Sequence, residues 1–440
     1  MINRIPLLLI YSIIILPITL ITGPAIPDIT ITFTGIFFLL LIFLHKEYKF
    51  VIEKKFFLYS VFFWLYLVFI SFFAENYYLS FRDALIFIRI LLIPIFIYYW
   101  ICKETKYIKI IIGVIFISVI FVALDSLYQF SQYDPEYGFG KDILGFRTTW
   151  YGRLTGPFKD ELIPGAYLTK FGLLGMIFLF SNINNITYKN ISTIIYLVIL
   201  GAAIFASGER MALATFLMGI IFLSVFYRSN RLIFFSSFVI ILLTILIIFK
   251  SHPIYNDFTV IESTPYHNGL KVEKTFTCKN DVKNNCKKII NLQPSFIKVI
   301  KNFDQSAYGE IYNLGLKMFK DHKFSGIGLN NFTFLCNNDE RYNNMLQNYN
   351  CTTHPHNIYL QWLIEAGIIG FLIFIFYVAY LFYHILKNNY NEYSLISIAT
   401  ILVIFWPIMS TGSLLKNWNG IGIFFIIGIC LVLSKIKEEN

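Results

Sequence analysis

The chain has 440 residues, of which 57% are hydrophobic, 19% aromatic and only 14% charged, with a mean hydropathy of +0.65. A soluble domain carries about 25% charged residues, so a cytosolic enzyme, a disordered protein and a fibrous repeat are excluded. What remains is an all-α polytopic membrane protein, whose net charge of +10 is explained by topology without nucleic acid.

A helix crossing the bilayer needs ~20 mostly apolar residues, and lipid cannot satisfy open backbone groups. Twelve such stretches are predicted, at 5–22, 30–45, 56–73, 83–101, 107–124, 164–181, 190–207, 210–227, 232–249, 357–383, 393–410 and 419–436. The chain thus divides into spans 1–5 (1–124), an outer loop (125–163), spans 6–9 (164–249), a large outer loop (250–356) and spans 10–12 (357–440). Pro24 and Pro27 crowd the first gap. The first stretch follows Arg4 and lacks a small-x-small cleavage site at its end, so it is read as retained.

Every second loop is basic. The series runs Arg4, then Lys46, Lys49, Lys54 and Lys55, then Lys103 and Lys106, Lys189, Arg228 and Arg231, Lys387, and finally Lys435 and Lys437. The positive-inside rule puts this side, and both termini, in the cytoplasm. The large outer loop is expected to be partly helical, because Ile311, Leu314, Met318 and Phe319 recur at helical spacing. It also holds Cys278, Cys286, Cys336 and Cys351, four of the six cysteines, as an oxidising compartment would allow. Of three possible pairings, Cys278–Cys286 and Cys336–Cys351 are expected. There is no G-x-x-x-x-G-K-[ST] and no G-x-G-x-x-G before a helix, so any chemistry is expected to use a pre-activated substrate rather than a bound nucleotide.

Polar residues converge at three outer places. In Thr353-His354-Pro355-His356-Asn357, Pro355 fixes the chain before an inward helix and Asn357 can cap it. Free N–H groups there favour an anion, and a neutral His356 beside it could take a proton from a hydroxyl, with His354 close by. The plainer reading makes both histidines ordinary boundary residues; a metal site lacks a third ligand. In Ser207-Gly208-Glu209-Arg210, Arg210 adds a permanent charge to a second helix start, against the positive-inside bias; snorkelling is the plainer reading. Arg147 and Arg153, ahead of the sixth span, alone would read as parts of a solvated loop. Arg89 and Glu365 fall inside spans, where ionisable residues are functional candidates by default, and their mutual pairing is one option.

These clusters together resemble the O-antigen ligase / O-antigen polymerase family of bacterial envelope glycosyltransferases. The resemblance rests on Ser207-Gly208-Glu209-Arg210 and on Arg153-Leu154-Thr155-Gly156-Pro157-Phe158. It also rests on Met318 to Asp321, on Phe324-Ser325-Gly326-Ile327-Gly328-Leu329-Asn330-Asn331-Phe332, and on His356-Asn357-x-Tyr359-Leu360-Gln361 with Glu365-x-Gly367-x-x-Gly370. It covers roughly 145–375 in motif.

The resemblance implies transfer of a glycan from undecaprenyl diphosphate to an acceptor hydroxyl at the periplasmic face of the bacterial inner membrane, without metal, nucleotide or cofactor. On that reading His356 is base or acceptor-orienting residue, Arg210 holds the diphosphate, and Arg153, Arg147, His354, Asn357 and Arg89 are candidate substrate contacts. The acceptor expected is lipid A-core, in O-antigen ligation. The polymerase reading, with a growing carrier-linked glycan as acceptor, shares the motifs, and transfer to a protein hydroxyl is a third reading. A flippase of lipid-linked glycan is the alternative of another class, though transporter sites gather at the midplane of repeated halves and no repeat is visible. The family's further loop Arg has no counterpart in Gln305 to Tyr312, which leaves Lys301, Lys317 or Arg153 to replace it.

Overall fold

The computed structural model describes residues 5–46, 55–134, 138–148, 152–256, 258–262, 272–277, 287–292, 300–346, 350–388, 391–408 and 412–436, with 258–292 given as backbone. Prolines set the first breaks. The first predicted span is interrupted around Pro17, into α1 (Ile5–Ile14) and short turns over Leu16–Thr22. Helix α2 (Ala25–Leu44) starts on Pro24 and carries Pro27 in its first turn, where a missing N–H costs nothing. After α3 (Lys55–Ser71), the fourth span is a pair, α4 (Tyr77–Leu91) and α5 (Ile93–Lys103), joined at Leu92 beside Pro94. Helix α6 (Lys106–Ser131) runs past the predicted end of its span at 124.

The middle and last groups follow the predicted order. They are α7 (Pro164–Asn182), α8 (Ile186–Ala206), α9 (Arg210–Phe226) and α10 (Arg231–Ser251). The chain then forms α11 (Ala307–Asp321) and α12 (Phe332–Asn338) in the large loop, and α13 (Ile358–Asn388), α14 (Glu392–Ile404) and α15 (Asn417–Leu433). Among the described residues, 7 helical stretches are long and apolar enough to cross a membrane, and α3, α9, α14 and α15 are shorter apolar helices. The molecule is thus a helical polytopic membrane protein.

Uniform hydrophobicity hides which helices are central, and burial separates them. Every residue of α15 from Asn419 to Leu433 is buried, and α7 is buried on nearly all sides. Helix α10 buries only Ile233, Phe234, Ser237 and Ile241. Its remaining apolar side chains suit hydrocarbon rather than protein. Two small sheets depart from an all-helical expectation. Strands β1 (Tyr133–Asp134) and β2 (Gly138–Phe139) form a short antiparallel pair, and β3 (Phe258–Glu262), β4 (Val272–Thr277) and β5 (Lys287–Leu292) form an antiparallel sheet in the first part of the large loop.

The second part of that loop is a helical cap with its own core of Ile311, Leu314, Met318, Phe332, Leu335 and Tyr342, closed by Ile364 of α13. Helix α11 begins where Ser306 Oγ accepts the Gly309 N–H at 3.0 Å. Cys336 and Cys351 form the expected disulfide. Cys278 and Cys286 lie outside the described residues.

The cap joins the bundle through backbone. Helix α13 breaks at Gly367, whose φ is 67°. The carbonyls freed at the break are taken by the loop after α11. Ile327 N–H donates to Ile364 O at 2.9 Å and Gly328 N–H to Glu365 O at 3.0 Å, while Ile368 N–H donates to Lys323 O at 2.9 Å. A Cβ on Gly367 would collide with Phe324 O, so both the left-handed φ and the close approach require glycine.

Candidate active site

The turn between α8 and α9 is locked to the start of α7. Glu209 Oε1 accepts from Gly165 N–H at 2.7 Å and Oε2 from Ala166 N–H at 3.1 Å, so one carboxylate satisfies two orphan donors of a helix N-terminus. Burial pushes Glu209 up to about 7, opposed by the Arg153 guanidinium, the two backbone donors and Lys170. Gly208 has φ 77°, and a Cβ there would lie 2.9 Å from Arg153 Cδ. Arg153 therefore lies across the turn, its Nη2 donating to Leu162 O at 3.2 Å. Arg210 opens α9, exposed, within electrostatic range of Arg153 and of Tyr308.

His356 arrives from the other side. Its φ is 55°, a left-handed conformation rare outside glycine, between Pro355 and the cap of α13. Asn357 Oδ1 accepts the Leu360 N–H at 2.9 Å and makes that cap. The imidazole of His356 lies 4.3 Å from that of His354 and 5.9 Å from the Tyr308 ring, centroid to centroid, the latter at 82°. His354 is buried, and its Nδ1 shares a 2.9 Å hydrogen bond with Thr353 Oγ1. Burial lowers the pKa of His356, which favours a neutral ring able to accept a proton. Tyr308, in the first turn of α11, is thus the common neighbour of His356 and Arg210.

The residues after His356 hold the connection between α14 and α15. Asn357 Nδ2 donates to Pro407 O at 2.8 Å, Tyr359 Oη to Phe405 O at 2.6 Å and Gln361 Nε2 to Ser413 Oγ at 2.7 Å. Gln361 also donates to Glu365 Oε1 at 3.2 Å. The chain continues inward, since Asn419 donates to Ser413 O and accepts from the buried Lys170 Nζ. Sequence reasoning singled out neither Lys170, Asn419 nor Tyr308. A lone Lys among apolar residues in a predicted span was the available signal for the first.

The other candidates stand elsewhere. Arg89 pairs with Asp28 at 2.6 Å and donates to Thr32 and Asn417. A pair with Glu365 is not formed. Arg147 pairs with Asp134 at 3.2 Å, beside a cleft of about 250 Å³ lined by Tyr128, Gln132, Tyr133 and Lys141. Among the possible replacements for the missing loop Arg, Lys317 pairs with Asp321 at 2.9 Å, and Arg153 is the one whose charge reaches Arg210. Among the described residues, no three His, Cys, Asp or Glu side chains converge as metal ligands would.

Fold and site together define a multi-pass membrane protein whose helical cap meets two helix starts at one end of the bundle. Residues 195–375 match the family model described as O-antigen ligase, which bears out the resemblance read from the sequence. The family is one of membrane glycosyltransferases of the O-antigen ligase/polymerase type, acting on lipid-linked glycans. The match takes in Arg210, the cap, His356 and the Gly367 break, and leaves Arg153, Arg147 and Arg89 outside it. No curated protein matches the chain.

Proposed function

We propose that the chain transfers a glycan from undecaprenyl diphosphate to an acceptor hydroxyl on lipid A-core, with His356 as base and Arg210 and Arg153 on the diphosphate. The observation that supports this reading is that Arg210 lies within electrostatic range of Arg153 and of Tyr308, whose ring stands 5.9 Å from the His356 imidazole. Two guanidiniums in range of each other favour an anion between them, and their planar forks match phosphate oxygens.

In the proposed step the acceptor oxygen bonds to the anomeric carbon as the carbon–oxygen bond to phosphate breaks. The hydroxyl proton goes to the His356 imidazole, and the electron pair leaves on the carrier diphosphate. Charge developing there is met by Arg210 and Arg153, fixed in advance by the Glu209 turn, so little reorganisation accompanies the reaction. The reaction face is the periplasmic one, opposite the basic loops.

The test incubates purified protein with carrier-linked glycan, with and without lipid A-core. Glycan appearing on lipid A-core supports ligation. Lengthened carrier-linked chains made without lipid A-core would replace it with the polymerase reading. Unchanged transfer by both His356→Ala and Arg210→Ala, at normal membrane insertion, would remove the site assignment.

A further inference from the structure

At the end of α9 away from Arg210, the last residues of α9, the start of α10 and the start of α14 enclose a cleft of about 910 Å³. Its lining includes Tyr227, Arg228, Ser229, Arg231, Asn391 and Glu392. Apart from Arg210, the described arginines elsewhere each sit beside a carboxylate. Arg82, Arg89, Arg147 and Arg341 each hold a carboxylate, of Asp83, Asp28, Asp134 and Asp339, and Arg153 feels Glu209. Arg228 and Arg231 are exposed and form no ion pair among the described residues. The one carboxylate in the cleft, on Glu392, accepts a hydrogen bond from Tyr227 Oη.

Two guanidiniums against one carboxylate leave the cleft a single positive charge. That suits a monoanionic phosphodiester better than a dianion such as free phosphate. The surroundings add a second requirement. The same helix ends expose Val225, Phe226, Leu232 and Phe235 at 54%, 48%, 76% and 57%, and α10 beyond them is apolar and little buried. An occupant with a charged head and hydrocarbon chains satisfies both surfaces. A soluble anion satisfies one.

We propose that this cleft binds the phosphodiester headgroup of an anionic membrane phospholipid, with Arg228 and Arg231 on the phosphate and the acyl chains along α10. Basic pockets between membrane helices at the cytoplasmic side take lipid headgroups by this combination of charge and apolar contact. The site is independent of glycan transfer and lies at the opposite end of α9 from Arg210.

The experiment measures thermal unfolding of the full chain in a neutral detergent, with added phosphatidylglycerol, phosphatidylcholine or inorganic phosphate at matched ionic strength. Phosphatidylglycerol is expected to raise the wild-type Tm by about 3–5 °C, as for a ligand well above its Kd. Phosphatidylcholine and phosphate should give no comparable shift. The Arg228→Gln/Arg231→Gln double variant should lose the response, while Lys387→Gln/Lys435→Gln, which removes equal charge elsewhere, keeps it. A double variant that responds like wild type, or an equal shift with phosphatidylcholine, overturns the proposal. An equal shift with phosphate assigns the cleft to a free anion and overturns the lipid. If the double variant does not fold, the single variants carry the test. Native mass spectrometry should then show less retained phosphatidylglycerol than on wild type, and equal retention overturns the site.

Discussion

The Tyr308 ring stands edge-on to the imidazole of His356, with centroids 5.9 Å apart and planes at 82°. The two residues come from the start of the cap helix and from the chain just before α13, so this contact joins the cap to the start of α13. Aromatic pairs of this geometry contribute ~0.5–1.5 kcal/mol beyond their buried area. Tyr308→Ala should therefore free the His356 ring and lower kcat for glycan transfer about tenfold, with normal insertion. Tyr308→Phe keeps the ring contact and should lose less. Equal losses in both variants would shift the role from the ring to the phenol.

The guanidiniums are expected to separate kinetically. Arg210→Ala should lower kcat/KM by about 10²–10³, the range for removing one preorganised donor to developing charge. Arg210→Lys keeps the charge but loses the planar fork, and should fall between. Arg153→Ala should act mainly on KM for the carrier-linked donor, because Arg153 is also tied to Leu162 O.

Burial lowers the pKa of His356, so its neutral ring persists to lower pH than an ordinary imidazole would. The transfer rate should rise with pH as the ring loses its proton, with the midpoint of the rise below the usual imidazole value. His356→Gln should abolish both the limb and most of the rate. A limb that survives in His356→Gln assigns the titration to another group.

Glu209 has the opposite linkage. Its folded pKa is raised from 4.5 to about 7, so the folded state binds more protons than the unfolded chain between those values. Stability held at low pH is therefore lost as pH rises through about 7. The Tm of wild type should fall over that window by more than the Tm of Glu209→Gln. The variant itself should be less stable above pH about 7, where the ionised carboxylate accepts from both backbone donors and an amide offers one acceptor.

Reduction of Cys336–Cys351, which closes a separation of 15 residues, should lower the stability of the cap by ~3 kcal/mol in the chain-entropy model. Alkylation rates of the two thiols after reduction, read by mass, check that both had been bonded.

The helical segments were legible because spans are long runs of one character, and the basic loops alternate as topology demands. The caps at Asn357 and the start of α9 at Arg210 were legible for the same local reason. What hydropathy does not encode is which face of a wholly apolar helix meets protein. For that reason α15 at the centre and α10 at the rim read alike in sequence. Arg89 looks equivalent to Glu365 in sequence, and its partners Asp28 and Thr32 sit 61 and 57 positions earlier, beyond any local signal. Tyr308 carries no local signal in sequence, because its contribution is a ring contact to a residue far along the chain.

The seam between cap and bundle includes main-chain amides meeting main-chain carbonyls at Lys323, Ile327, Gly328, Ile364, Glu365 and Ile368, together with side-chain bonds from Asn330 to Asp83 and from the Leu329 N–H to Ser80. Because these bonds anchor the loop after α11 on both sides of the Gly367 break, replacing residues on the outward face of the cap while keeping this seam and Tyr308 should leave the place of the His356 ring unchanged.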